Sequence, residues 1–290
     1  MAEAKEAGIE AMSTGDYQTA VDQFDQALQL SGGRVNAQVV DICFYKAAAQ
    51  FNLGETAEAI DTYTAILAYD DSDGTAAFLR GSVYLQEGET DLAMEDYQLA
   101  LQCSRDDGEM YLRIGENLAA SGYTQEARSI LEQGLDVTGE SGADLMTKGR
   151  LYLALGEADQ AAALLEQAVE KGTSQANLYL AQAYQTLGRN EEANTLLQDY
   201  AKAEDPDSEL LAMLGDMEME EGDYASALEF YRQGLEKDSL TNEQELRRGE
   251  ISALEYAGNF AEAEEKMQEY LQLYPEDAQA LREQVFLQSR

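Results

Sequence analysis

The sequence predicts an all-α fold: short antiparallel helix pairs stacked into an α-α superhelix, with one further helix closing the end. Three observations predict it. A glycine recurs at Gly15, Gly54, Gly88, Gly122, Gly156, Gly188, Gly222 and Gly258, at spacings of 39, 34, 34, 34, 32, 34 and 36 residues. Five residues after each comes an alanine, from Ala20 and Ala59 through Ala93, Ala127, Ala161, Ala193 and Ala227 to Ala263. And 290 residues contain only 2 prolines, which suits a chain of helices with short joins.

Each element of the repeat has a packing reason. A glycine that ends the first helix can take the left-handed conformation that stops and turns it. Seven residues before most of the glycines lies a small residue, namely Gly8, Ala47, Gly81, Gly115, Gly149, Ala181 and Gly215, with Ile251 breaking the rule in the last unit. Small residues there and at the alanine let two helix backbones approach. Four residues after the alanine a large side chain fills the space between them: Phe24, Tyr63, Tyr97, Leu131, Leu165, Leu197, Tyr231 or Met267.

In chain order the units run approximately 1–34, 40–73, 74–107, 108–141, 142–173, 174–207, 208–241 and 242–275, in a single array. The first join is lengthened around Ser31 to Asn36, where Gly32 and Gly33 imply a loop. The fifth is shortened near Lys171 to Ser174, and the seventh lengthened from Asp238 to Asn242. After Pro275, residues 276–290 read as a closing amphipathic helix with Ala280, Leu281, Val285 and Phe286 on its apolar side.

These joint offsets of small residue, glycine, alanine and large side chain resemble the tetratricopeptide repeat, over roughly residues 1 to 275. The family's tryptophan is missing throughout, and its repeat-end proline is plain only at Pro275, with Pro206 one place displaced. The resemblance implies a non-catalytic scaffold whose first helices line a concave groove, their fifth and twelfth positions pointing inward. Those positions supply the candidates Phe44, Phe51, Phe78, Leu85, Leu112 and Met146, with Arg150 a rare positive group on the same side. Such positions are also commonly apolar for packing, so the stripe reads as core or as groove. Glu109, Glu116, Asp216 and Glu220 would select against acidic ligands. The carboxylate clamp of some co-chaperones of the family is absent: Ile9 and Tyr45 stand where it needs asparagines, and Thr75 and Leu79 where it needs bases.

Charge limits the partners. With 57 acidic and 19 basic residues the formal net charge is −38, which repels phosphate backbones and anionic lipid. Expected partners are a protein or peptide of basic or apolar character and no nucleic acid, and no apolar run approaches 18 residues, so no direct membrane insertion is expected. A strongly solvated outer surface accounts for the same charge with no partner at all.

Chemistry has little to stand on. The chain has no histidine, which removes the commonest general base and metal ligand. No phosphate loop or dinucleotide fingerprint occurs, so no catalytic, cofactor or metal site is expected. Asp70, Asp71, Ser72, Asp73 and Gly74 look like the start of a calcium loop. Yet with Gly74 sixth, the first and twelfth ligand positions fall on Tyr69 and Arg80, so the segment reads better as a turn capped by Ser72 or Asp73. Cys43 and Cys103 read as small buried side chains.

The abrupt start, with Ala4, Ala7, Gly8 and Ala11 already in helical register after Met1, is what a processed chain would show. The Gly, Ala and Tyr usage also resembles tetratricopeptide lipoproteins exported by Gram-positive anaerobes, which implies lipid anchoring outside the cytoplasm. A cytosolic assembly or regulatory adaptor, self-associating through its terminal helices, is the alternative.

Overall fold

The computed structural model describes residues 1–203, 206–237, 240, 242–275 and 277–287. Glu276, residues 288–290 and the Phe286 side chain of the expected closing helix lie outside the described residues, as do Asp238, Ser239 and Thr241 of the seventh join.

Among the described residues there are seventeen helices and no strand. They are α1 (Ala2–Ser13), α2 (Tyr17–Leu30), α3 (Ala37–Leu53), α4 (Thr56–Tyr69), α5 (Gly74–Gln86), α6 (Thr90–Cys103), α7 (Gly108–Ala120), α8 (Thr124–Val137) and α9 (Gly142–Ala154). There follow α10 (Ala158–Glu170), α11 (Ala176–Thr186), α12 (Asn190–Ala203), α13 (Ser208–Glu221), α14 (Tyr224–Leu235), α15 (Glu243–Tyr256), α16 (Phe260–Leu273) and α17 (Ala278–Leu287). Consecutive helix-turn-helix packing is the expected tetratricopeptide solenoid class. The contacts fall into two compact units: Met1–Glu140 with Arg150–Glu157, and Ser141–Gly149 with Ala158–Arg290.

The turns follow from the glycine series. Gly54 has φ 86°, a conformation that costs a side-chain-bearing residue roughly 1–2 kcal/mol. There it lets Gly54 N donate to Phe51 O at 3.0 Å and Glu55 N to Gln50 O at 2.8 Å, closing the helix with the paired bonds of a Schellman motif. All eight glycines of the series have positive φ, and the longer bond recurs after each, as in Asp223 N to Glu218 O at 2.9 Å. Several helix starts are capped by side chains: Asp16, Asn36, Asp73, Asp207 and Asp223 each accept from the amide three residues on.

Packing inside the hairpins explains the small residues. A methyl added at Gly8 would lie 2.5 Å from the Phe24 ring, at Gly81 2.9 Å from Tyr97, and at Gly149 2.5 Å from Leu165. Each glycine is thus the hole for the large side chain of its own hairpin. The last hairpin solves the fit differently: Ile251 takes the small residue's place, and its opposite number is the unbranched Met267, both buried in one cluster with Tyr270.

Two expectations meet a different arrangement. On α17, Ala280 and Leu287 are buried, whereas Leu281 and Val285 are 43% and 67% exposed. On the same helix Glu283 pairs with Arg248 of α15 at 2.7 Å. Cys103, the last residue of α6, is exposed, and Cys43 is half-buried.

Candidate peptide-binding surface

The apolar candidates stand ten (Phe44, Phe78, Leu112, Met146) or three (Phe51, Leu85) residues before a turn glycine, so they share one face of the first helix of a hairpin, whereas Arg150 stands six before Gly156. In the first unit that face is not uniform. Leu112 is fully buried among Leu131 and Leu151. Leu85 is buried too, and Phe78 is closed off by the Arg113 guanidinium, 4.3 Å above its ring. Phe44 and Phe51 on α3 are half-buried, resting on the core with one side open; the Phe44 ring lies 6.3 Å from Tyr63. Arg150 pairs with Glu109 at 2.6 Å. In the second unit Met146 is half-buried, Asp216 accepts from the Tyr231 hydroxyl at 2.6 Å, and burial holds its carboxyl above the usual range.

One feature of the first unit lies off the predicted stripe. A pocket of about 400 Å³ opens beside Phe44, lined by Ala37, Val40 and Asp41 of α3, Tyr69 at the end of α4, and Asp70 and Asp73 of the following turn. Its size falls near the lower end of ordinary ligand pockets, about 300–1,000 Å³. Tyr69 is 58% exposed. The acid-rich segment is a capped turn: Asp70 accepts from the Ser72 hydroxyl at 2.7 Å and its amide at 3.0 Å, which holds the Asp70 carboxyl below its usual range. Asp73 caps α5 through Ala76 N at 2.9 Å. Asp41 pairs with Lys5 at 2.5 Å, and Lys5 also sits 5.1 Å over the Tyr45 ring.

Among the described residues no acidic or cysteine cluster is disposed to hold a metal ion, and no helix is long and apolar enough to cross a membrane.

The sequence pattern of the tetratricopeptide repeat family matches residues 44–108, 146–209 and 178–240, together more than half of the chain. No curated protein matches it. Among solved structures it is similar to a tetratricopeptide repeat protein from Parabacteroides merdae ATCC 43184, at 17% identity and a TM-score of 0.55, over 87% of this chain and 98% of that one. It is also similar to a chain of the APC/C hetero-tetramer Cut9-Hcn1, at 19% identity and a TM-score of 0.53, over 93% of this chain but 52% of that one.

Proposed function

Because this chain belongs to the tetratricopeptide repeat family, we propose that it is a non-catalytic scaffold that binds a protein or peptide on the open face of its first-unit helices. Proteins of this family are in general protein-interaction scaffolds. The observation that carries the finer reading is the state of α3: Phe44 and Phe51 lie seven residues apart on one face and are only half-buried. Two aromatic rings seven residues apart on one helix face offer apolar seats for the side chains of an extended or helical peptide. Phe78, Leu85 and Leu112 then serve as the floor that holds α3 and its neighbours rigid. Met146 and Arg150 extend the candidate surface on their own units.

The test is site-specific photo-crosslinking in extracts of the source organism. A photoreactive residue in place of Phe51 is expected to give a discrete adduct that Phe44→Ala weakens. The same probe at Gln98, exposed on α6, is expected to give none. Equal labelling from both positions would sink the reading. Placement on the cell envelope rests on the lipoprotein resemblance alone. An upstream signal peptide ending in a lipid-modified cysteine is the result that would support it, and a native start at Met1 the result that would end it.

A further inference from the structure

We propose that the pocket between Phe44 and Tyr69 in the first unit receives an arginine side chain of a basic, extended peptide; this rests on the scaffold reading above and adds the chemistry of the partner. The pocket has two kinds of wall. Val40, Phe44 and Tyr69 offer apolar and aromatic surface, and Asp41, Asp70 and Asp73 offer carboxylates. No basic side chain lines it among the described residues, and Lys5, which pairs with the lining Asp41, also sits over the Tyr45 ring. Asp70 and Asp73 each accept from a local amide, so both carboxylates are held in place by the turn rather than free to swing.

The second unit contains the same chemistry already satisfied from within the chain. There the Arg189 guanidinium lies 3.9 Å from the centre of the Tyr184 ring and makes a fork to Glu192, at 2.7 and 2.6 Å. An aromatic face beside a carboxylate is thus an arrangement in which this protein seats an arginine. At Tyr69 the ring and the carboxylates are present, and no arginine or lysine of the described residues lies over the ring. A guanidinium matches this better than an ammonium, because it stacks on the ring and forks to a carboxylate at once. A net charge of −38 further favours the approach of a basic segment.

The probe is a fluorescein-labelled peptide, Gly-Leu-Arg-Leu-Arg-Leu-Gly, compared by fluorescence anisotropy with its citrulline counterpart, which keeps the shape and loses the charge. At near-physiological ionic strength the full chain is expected to bind the arginine peptide about tenfold more tightly, as expected of one charge-assisted contact. The double variant Asp70→Asn with Asp73→Asn preserves both turn acceptors and is expected to erase most of that preference. Tyr69→Ala is expected to reduce it severalfold. A control removes two charges elsewhere in the same unit, Glu95→Gln with Glu126→Gln, both exposed, and is expected to change affinity less than twofold. Equal losses from the two double variants would mean that the overall field attracts the peptide, and would overturn the proposal. So would equal binding of the arginine and citrulline peptides. If the citrulline peptide still binds and Phe51→Ala weakens it while the arginine preference is missing, the pocket proposal fails and the scaffold reading survives. If neither peptide binds, the pocket proposal fails, and the crosslinking at Phe51 judges the scaffold separately.

Discussion

The α3 face of the first unit and the α15 face of the second stand in the same register and are used in opposite ways. Ten and three residues before the turn glycine, α3 carries Phe44 and Phe51, half-buried and partly open. At the same offsets α15 carries Arg248 and Glu255, and Glu283 of α17 is seated against Arg248. The Arg248 guanidinium also lies 5.6 Å from the Tyr270 ring, whose hydroxyl donates to Asp277 at 2.6 Å. One face keeps apolar surface accessible, and the other spends charged groups on fastening a closing helix. An offset in the repeat therefore fixes where a side chain points along its helix, while the element that comes next decides whether it is core, site or latch.

The largest expected effect sharpens the core end of that comparison. Leu112 holds the Phe44 register position on α7 and is fully buried. Leu112→Ala is expected to cost about 2–5 kcal/mol in equilibrium denaturation, through lost burial and the cavity left behind. Phe44→Ala, with one side of the ring already open, is expected to cost roughly half as much. Equal costs would mean that α3 is core like α7 and that no accessible stripe exists.

How far the sequence reaches follows from the same residues. The turns were legible because each is a local backbone demand repeated eight times, as at Gly54, and the small residues because each faces a large one in its own hairpin. Which stripe residues are covered was not legible. Phe78 is closed by Arg113 and Phe44 is not, and nothing in the spacing of either residue encodes that difference. The Tyr69 pocket was missed because it joins the first helix of one hairpin to the end of its second helix, while the groove positions considered were all on first helices. Its trace in the sequence is an aromatic residue running into Asp70, Asp71 and Asp73, a segment that reads as a calcium loop or a capped turn and not as one wall of a pocket. The face α17 buries was hidden for a like reason: its apolar pattern favoured Leu281 and Val285, but the buried side carries Ala280 and Leu287, and Glu283 pairs with Arg248.

A smaller effect is expected where the latch is broken. Arg248→Met removes the cation that Glu283 faces and leaves the Glu255 and Glu283 carboxyls together. The loss expected is about 1–3 kcal/mol, the cost of stranding a charged hydrogen-bond partner. It should be local: amide exchange in α17 is expected to quicken while that of α3 stays unchanged. Unchanged α17 protection would show that Ala280 and Leu287 hold the helix without the latch.

The smallest effect distinguishes the two faces by pH, since α3 presents no titrating group at its two register positions and α15 does. Burial, and next the neighbouring Glu283 carboxyl, raise the Glu255 pKa to about 7 from the ordinary 4.5, with Arg248 pulling the other way. Arg248 itself pairs with Glu283 and lies 5.6 Å from the Tyr270 ring, whose hydroxyl donates to Asp277. A carboxyl whose pKa is raised on docking binds an extra proton in the docked state. The docked helix is therefore favoured most below about pH 4.5, loses stability as pH rises between about 4.5 and 7, and stays weaker above. The difference between the two plateaus is expected to be on the order of 1 kcal/mol, because the site is partly open to solvent screening. Amide exchange in α17, corrected for intrinsic rates, should thus show stronger protection at pH 5.5 than at pH 8. Glu255→Gln, which keeps the shape and cannot ionise, should remove the dependence and match the low-pH protection at both values. If α17 in that variant still loosens with rising pH, Glu255 is not the group that titrates, and the contrast between the two faces would rest on packing alone.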